Sequence, residues 1–277
     1  MKIPPRLLPL LEEGLIVEVI RPLMSGKEAA VYVVRDKKDV MVAKVYKEAE
    51  RRSFRQRAAY TEGRQVRNSR SRRAMERGSK FGREQEEAAW QSAEVDALYR
   101  LAAAGVRVPK ALHFYEGVLL MEVVLNPEGW PAPRLVDCDF TPREAWAVHE
   151  LLMHQVVLML CAGIIHGDLS EYNVLMAWDG PMIIDLPQAI NAAHNQSARE
   201  LLIRDVTNIT NFLARFDPEI AETRYGQEMW GLYERAKLFT DTPLTGRWRD
   251  STRRANTHAV LDEIAAAEFE VKQRRGR

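Results

Sequence analysis

Cysteine is scarce and unpatterned. Only Cys138 and Cys161 occur in 277 residues, with no CxxC pair, so neither a disulfide framework nor a cysteine-based zinc site is available. Long apolar runs are missing too: no segment approaches the roughly eighteen uncharged apolar residues of a membrane-spanning helix. The N-terminus places Pro4, Pro5, Pro9, Glu12 and Glu13 where a signal peptide needs an apolar stretch. A cytoplasmic protein with no membrane partner is expected. Internal repeats are absent. Gly26-Lys27 is followed by Glu28 and lacks the upstream glycine of a P-loop. His149 and His154 resemble the pair of a zinc-protease helix but are five residues apart, and five helical residues rotate about 140° past a full turn. They cannot share a metal.

What is present is an uneven distribution of charge. The net charge is only +1. Yet residues 51–83 hold eleven Arg and one Lys against two Glu, a local excess of ten positive charges that leaves the remainder acidic. The hydrophobic fraction of 46% is enough for one large domain or two lobes around a cleft.

β-branched runs at 16–20, 30–34 and 40–45 are separated by short turn-forming stretches, which predicts an antiparallel meander, because such connections cannot carry a parallel crossover. Residues 48–83 are polar and arginine-rich, and part of this stretch is expected to be mobile. A helix is predicted from about Arg83 to Ala104, ended by Gly105, then two strands within 106–124 turning at Glu116-Gly117. Asn126–Pro133 reads as a linker. The expected organisation is a leader (1–13), a small β-rich lobe (14–124) carrying the basic insertion 48–83, and a helical lobe (125–277). Thr141-Pro142-Arg143-Glu144 predicts a capped helix from Thr141 to about Ala162, and Ser197-Ala198-Arg199-Glu200 a second capping box. Asp179-Gly180 is a hairpin signal between Val174–Ala177 and Met182–Ile184. Further helices are expected near 218–238 and 257–273.

The first of these helices delivers the chain into Ile165-His166-Gly167-Asp168-Leu169-Ser170-Glu171-Tyr172-Asn173-Val174-Leu175. An Asp and an Asn five residues apart, with Asp185 emerging after apolar Met182-Ile183-Ile184, suit a divalent cation and deprotonation of a hydroxyl beside it. Phosphoryl transfer needs such an acid, metal ligands and a cation on the phosphates. Magnesium takes few oxygen ligands from protein, and Asn173 with Asp185 can supply them.

The loop resembles the catalytic loop of the RIO kinases, an atypical branch of the protein-kinase-like fold. Other parts match in order: Ser25-Gly26-Lys27-Glu28-Ala29-Ala30-Val31-Tyr32 resembles their short phosphate-binding loop, Val42-Ala43-Lys44-Val45-Tyr46-Lys47 the strand bearing the ATP-contacting Lys, and Trp90-Gln91-Ser92-Ala93-Glu94 the helix whose Glu pairs with it. Ala104–Pro109 and Leu119–Glu122 resemble the approach to the hinge, Ile183-Ile184-Asp185 the metal-binding loop, and the match closes at Arg204-Asp205-Val206-Thr207-Asn208-Ile209. The first RIO subtype, without a winged-helix domain, fits better than the second, and a bacterial member is expected.

The resemblance implies an α+β, bilobal protein-kinase-like fold with a small antiparallel β-rich N-lobe and a helical C-lobe. It implies ATP with Mg2+ (or Mn2+) and transfer to serine or threonine of a protein, to the chain itself, or to water. Carried over by position, Asp168 is the catalytic acid/base, Asn173 and Asp185 hold the metal, and Lys44 contacts the α- and β-phosphates while pairing with Glu94. Ser25 and Lys27 approach the phosphates, and the backbone of Glu122 and Val124 meets the adenine edge. In the family the metal-loop Asp has also been proposed to accept phosphate, a role that falls on Asp185.

Only eleven residues, 186–196, separate Asp185 from the helix capped by Ser197, which leaves no room for an ordinary activation loop. ATP hydrolysis coupled to conformational change is therefore also plausible. Arg clusters interleaved with Phe54, Tyr60 and Phe81 suit RNA, and the resemblance raises contact with RNA or the small ribosomal subunit through 51–83. Two alternatives stand beside the kinase: a nucleotide-gated RNA- or ribosome-binding assembly factor, and a small-molecule kinase of the aminoglycoside phosphotransferase type.

Overall fold

A computed structural model describes residues 3–26, 29–47 and 93–249. Two units are distinguished, Met1–Gly246 and Arg247–Arg277, and every element below belongs to the first. The basic stretch 48–83, Lys27 and the helix expected near 257–273 lie outside the described residues.

The β-branched runs form the expected meander. Strands β1 (Glu18–Ser25), β2 (Ala29–Arg35), β3 (Val40–Tyr46), β4 (Ala111–Tyr115) and β5 (Val118–Glu122) make one antiparallel sheet in the order β1-β2-β3-β5-β4. β1 extends further than its β-branched run, through Pro22 to Ser25. Proline is tolerated there because β1 is an edge strand, and its register shifts on either side of Pro22. Glu116 (φ 45°) and Gly117 (φ 75°) turn β4 into β5, the two positive φ values that a two-residue hairpin of this twist requires.

Alternation along the strands sorts their side chains into two cores. Met41, Ala43 and Val45 of β3, with Val118 and Leu120 of β5, pack on one face against Leu7, Leu10 and Ile16. Residues 1–13 thus contribute Leu7 and Leu10, both fully buried, to the cover of the sheet. Period two puts Val42, Lys44 and Tyr46 on the opposite face, where Tyr46 joins the larger core with Leu98 and Leu101 of helix α2 (93–103) and Leu119 of β5. From that face Lys44 reaches Asp185.

The second half is mainly helical. α3 (Pro142–Cys161) carries the predicted capping box: Thr141 accepts from the Glu144 N–H, and the Glu144 side chain accepts from Thr141. Its C-terminus leads into β6 (Ile164–Ile165), which pairs with β9 (Ile190–Asn191). The hairpin β7 (Val174–Ala177) and β8 (Gly180–Ile183) turns at Trp178-Asp179, one residue earlier than expected, because Gly180 already pairs with Ala177. The Asp179 side chain is engaged by Arg107. α4 (Ala198–Leu213) forms as expected, but Ser197 does not cap it. With ψ near 7° its side chain is misdirected, and the Ser197 N–H donates instead to Asn195 Oδ1 at 2.8 Å. Near 218–238 a short 3-10 turn (Pro218–Glu222) precedes α5 (Tyr225–Glu234).

His149 sits fully buried on α3, bonded through Nε2 to Thr210 Oγ1 at 2.9 Å, whereas His154 is exposed. Burial holds the His149 pKa down at about 4 from an ordinary 6.5. A folded pKa below the unfolded one means its contribution is complete above pH 6.5 and is lost as the pH falls toward 4, by at most about 3 kcal/mol. Urea unfolding of His149→Gln is therefore expected to lose less stability between pH 7 and 4.5 than the parent does. Equal losses would show that the imidazole carries no such penalty.

Candidate active site

Lys44 needs a compensating charge, because its side chain is only 9% exposed and a buried ammonium is costly when unpaired. It has two. Nζ donates to Glu94 Oε1 at 2.6 Å and to Asp185 Oδ1 at 2.6 Å. Burial alone would lower the Lys44 pKa, but the charges and hydrogen bonds of Glu94 and Asp185 overcome it and raise it well above the ordinary value. Glu94, from the first turns of the described part of α2, is itself 2% exposed. Its second oxygen accepts from the Tyr46 hydroxyl at 2.5 Å. Tyr46, two residues along β3 from Lys44 and on the same face, thus clamps the partner of Lys44, and its ring lies 5.4 Å beneath Nζ.

Asp185 follows β8 with φ 68°, a left-handed conformation rare for a residue with a side chain. It turns the carboxylate back toward Lys44, leaving it 44% exposed toward the cleft. Burial pushes the carboxyl up, but Lys44 outweighs this and holds it below its ordinary value, with smaller help from Arg134.

The loop after β6 is organised by hydrogen bonds to its backbone. His166 Nδ1 accepts from the Asp168 N–H at 3.3 Å, so Nε2 carries the proton and donates to the Ile184 carbonyl at 3.0 Å. The Ile184 N–H donates to the Asn173 carbonyl at 3.0 Å, and Asn173 Nδ2 to the Asp168 carbonyl at 2.8 Å. These bonds bring Asp168, Asn173 and Asp185 to one place. Asp168 is exposed, yet the surrounding protein withdraws enough water to push its carboxyl above the ordinary value, against the charge of Arg204 and with a small contribution from Asp185.

Three residues of α4 hold the loop from below. Asp205, 1% exposed, accepts from the N–H of Gly167 at 2.7 Å and of Leu169 at 3.2 Å. Arg204 donates to the Gly167 carbonyl, and Asn208 to the Leu169 carbonyl at 3.0 Å. Gly167 has φ 79°, and a Cβ there would lie 2.5 Å from the Gln188 carbonyl oxygen. Only glycine fits. The sequence match ended on Arg204–Ile209 without giving these side chains a role. The available signal was a polar pair at i and i+4 (Arg204, Asn208) beside an Asp on an otherwise apolar helix face.

Of the other expected site residues, Ser25 ends β1, where its hydroxyl accepts from Lys47 Nζ at 3.1 Å, and Lys47 also donates to the Gly26 carbonyl at 2.5 Å. Lys47 was not singled out in the sequence. Glu122 ends β5 opposite Met41, and its side chain accepts from the Lys110 N–H at 2.9 Å. The buried Val124 gives its carbonyl to the Ala132 N–H at 2.8 Å. Among the described residues no group of three or more His, Cys, Asp or Glu is placed to hold a metal by itself.

Much of 186–196 is structurally engaged, although Ala193, His194 and Gln196 are exposed. Leu186 is buried, Ile190–Asn191 pair with β6, and Asn195 turns the chain into α4.

Comparison with known proteins gives a consistent family. The RIO domain matches residues 30–225. The chain is similar to the serine/threonine-protein kinase rio1 of Schizosaccharomyces pombe, 33% identical over 217 residues that cover 76% of this chain and 41% of that one. It is also similar to the RIO-type serine/threonine-protein kinases Rio1 of Haloferax volcanii (33% identical, covering 74% of this chain and 67% of that one) and Methanocaldococcus jannaschii (34%, 72% and 64%). The chain thus spans less than half of the yeast relative and about two thirds of the archaeal ones.

Asp205→Ala is expected to leave the Gly167 and Leu169 amides buried without an acceptor, at a cost on the order of 2 kcal/mol. Denaturant unfolding reads the cost, and amide exchange should accelerate at those two positions first. Unchanged protection of both amides would show that Asp205 does not hold the loop.

Proposed function

This chain belongs to the RIO domain family, and on that premise we propose that it is an ATP-dependent serine/threonine protein kinase that can also phosphorylate itself or hydrolyse ATP. The observation that carries the proposal is the convergence of Lys44, Glu94, Asp168, Asn173 and Asp185 from four separate segments. ATP lies between the β-sheet (14–124) and the helical part (from 125). Its adenine edge meets the backbone of Glu122 and Val124, and no described residue takes up the Val124 N–H. Ser25 and Lys27 approach the phosphates. Lys44, held by Glu94, neutralises the α- and β-phosphates.

The donor set fits magnesium, or manganese in its place. Asp185 offers its exposed carboxylate and Asn173 a side-chain oxygen, and a site this sparse in protein ligands is completed by phosphate oxygens. When bound, the metal supplies neutralisation of the charge on the transferring phosphoryl group. Asp168 takes the proton of the attacking hydroxyl or water. Its raised pKa brings it closer to the working pH, as a general base requires. Asp185 is also the carboxylate that would accept the γ-phosphoryl group, with ADP leaving, in a reaction through an aspartyl intermediate.

The largely engaged segment 186–196 supports water or the chain itself as an acceptor beside a protein. The excess of ten positive charges in 51–83 supports an RNA or small-subunit partner, which is the assembly-factor reading. No described helix is long and apolar enough to cross a membrane, and a cytoplasmic location is part of the proposal.

Labelled ATP offered with protein, aminoglycoside and water as acceptors tests the reading. Asp168→Asn is expected to lower turnover by roughly 10²–10⁴-fold with an unchanged unfolding midpoint at pH 7 or a slightly higher one. Because protonation removes the base, the acid limb of kcat/KM should lie above the range of an ordinary aspartate. A variant turning over at the parent rate defeats the assignment.

A further inference from the structure

We propose that Arg134 is a further nucleotide-binding residue, contacting the polyphosphate of ATP or ADP from the helical side of the cleft. This inference rests on the nucleotide reading above. Arg134 lies before α3, and its backbone is fixed against the catalytic segment. It bridges Leu175, two residues beyond Asn173. Its neighbours are tied in the same way: the Pro133 carbonyl accepts from the Met176 N–H at 2.9 Å, and the Val136 N–H donates to the Glu171 carbonyl at 3.1 Å. The Arg134 carbonyl is itself taken by the Asp137 N–H at 2.9 Å and the Cys138 thiol at 3.3 Å.

From this fixed base the side chain crosses to the sheet. Nη2 meets the Met24 sulfur on β1, next to Ser25. One guanidinium therefore spans from the strand after Asn173 to the strand that ends at the phosphate loop. Its charge is felt at Asp185.

No described carboxylate pairs with it, although Asp137 and Asp139 follow within five residues. A thioether is a weak acceptor and cannot occupy five guanidinium N–H donors. A half-buried guanidinium facing a cleft, with its backbone anchored and its donors unspent, matches an anion with several oxygens. A polyphosphate held between Ser25, Lys44 and Asp185 is that anion. A carboxylate or sulfate alone would not need a group reaching both walls.

Calorimetric titration of the full chain with ATP, ADP and adenosine, each with magnesium, tests this. Arg134→Ala is expected to weaken ATP and ADP about tenfold or more, to leave adenosine within about twofold, and to reduce the salt dependence of ATP binding. Arg134→Lys, which keeps the charge but not the fork, should recover part of the loss. Thermal unfolding without nucleotide shows whether each variant is folded, and Arg134→Gln compared with Arg134→Lys gives the same reading if the alanine variant is not. Equal weakening of adenosine would make Arg134 a wall of the cleft, and unchanged ATP affinity would make it a bystander. Either overturns the inference while leaving the nucleotide reading intact. A parent chain that binds none of the three overturns both.

Discussion

The structure depends on one buried ammonium. Lys44 sits on the inner face of a central strand, almost out of water, and two carboxylates meet it within hydrogen-bond distance. Removing Lys44 would strand the buried Glu94 carboxylate, a loss that typically costs about 3–5 kcal/mol, because the remaining charge stays buried. The three groups come from β3, from α2 and from the second residue after β8, so satisfying Lys44 holds sheet, helix and the segment after β8 in one arrangement. Tyr46 extends the constraint. By occupying the second oxygen of Glu94, it leaves that carboxylate one orientation, with Oε1 toward Nζ.

A second constraint acts on the loop that carries Asp168. The loop has no strand ladder for its N–H groups between β6 and β7, and buried N–H groups need acceptors. Asp205 supplies two at once, and Arg204 and Asn208 cover the neighbouring carbonyls. Burial pushes the Asp205 carboxyl up, and the Gly167 N–H, the charge of Arg204 and the Leu169 N–H oppose it. The loop's geometry is thereby a property of α4 as much as of its own residues. The tight approach of Gly167 to Gln188 adds a steric limit that no other residue meets.

How much of this was legible in the sequence follows from range. Period two in Val40–Val45 put Lys44 on a definite face, the Thr141–Glu144 box set the start of α3, and Glu116-Gly117 set a turn, because each depends on residues a few positions apart. The positions of Asp168, Asn173 and Asp185 were readable from their order along the chain. The Tyr46 clamp and the Asp205 scaffold were not, since each joins residues some 36 to 48 positions apart that no local pattern links. Ser197 shows the opposite failure. A capping signature was present, but Ser197 takes a backbone angle at which its side chain does not cap, and its own N–H goes to Asn195 Oδ1.

Asp185 is where the two constraints meet. It is read as a metal ligand, yet one oxygen is already committed to Lys44 and no described residue bonds the other. Its left-handed backbone costs on the order of 1 kcal/mol and persists because the pair with Lys44 and the bond between Ile184 and Asn173 over-determine it. The fold therefore holds this carboxylate low in pKa and half open, with a cation on one side and space on the other.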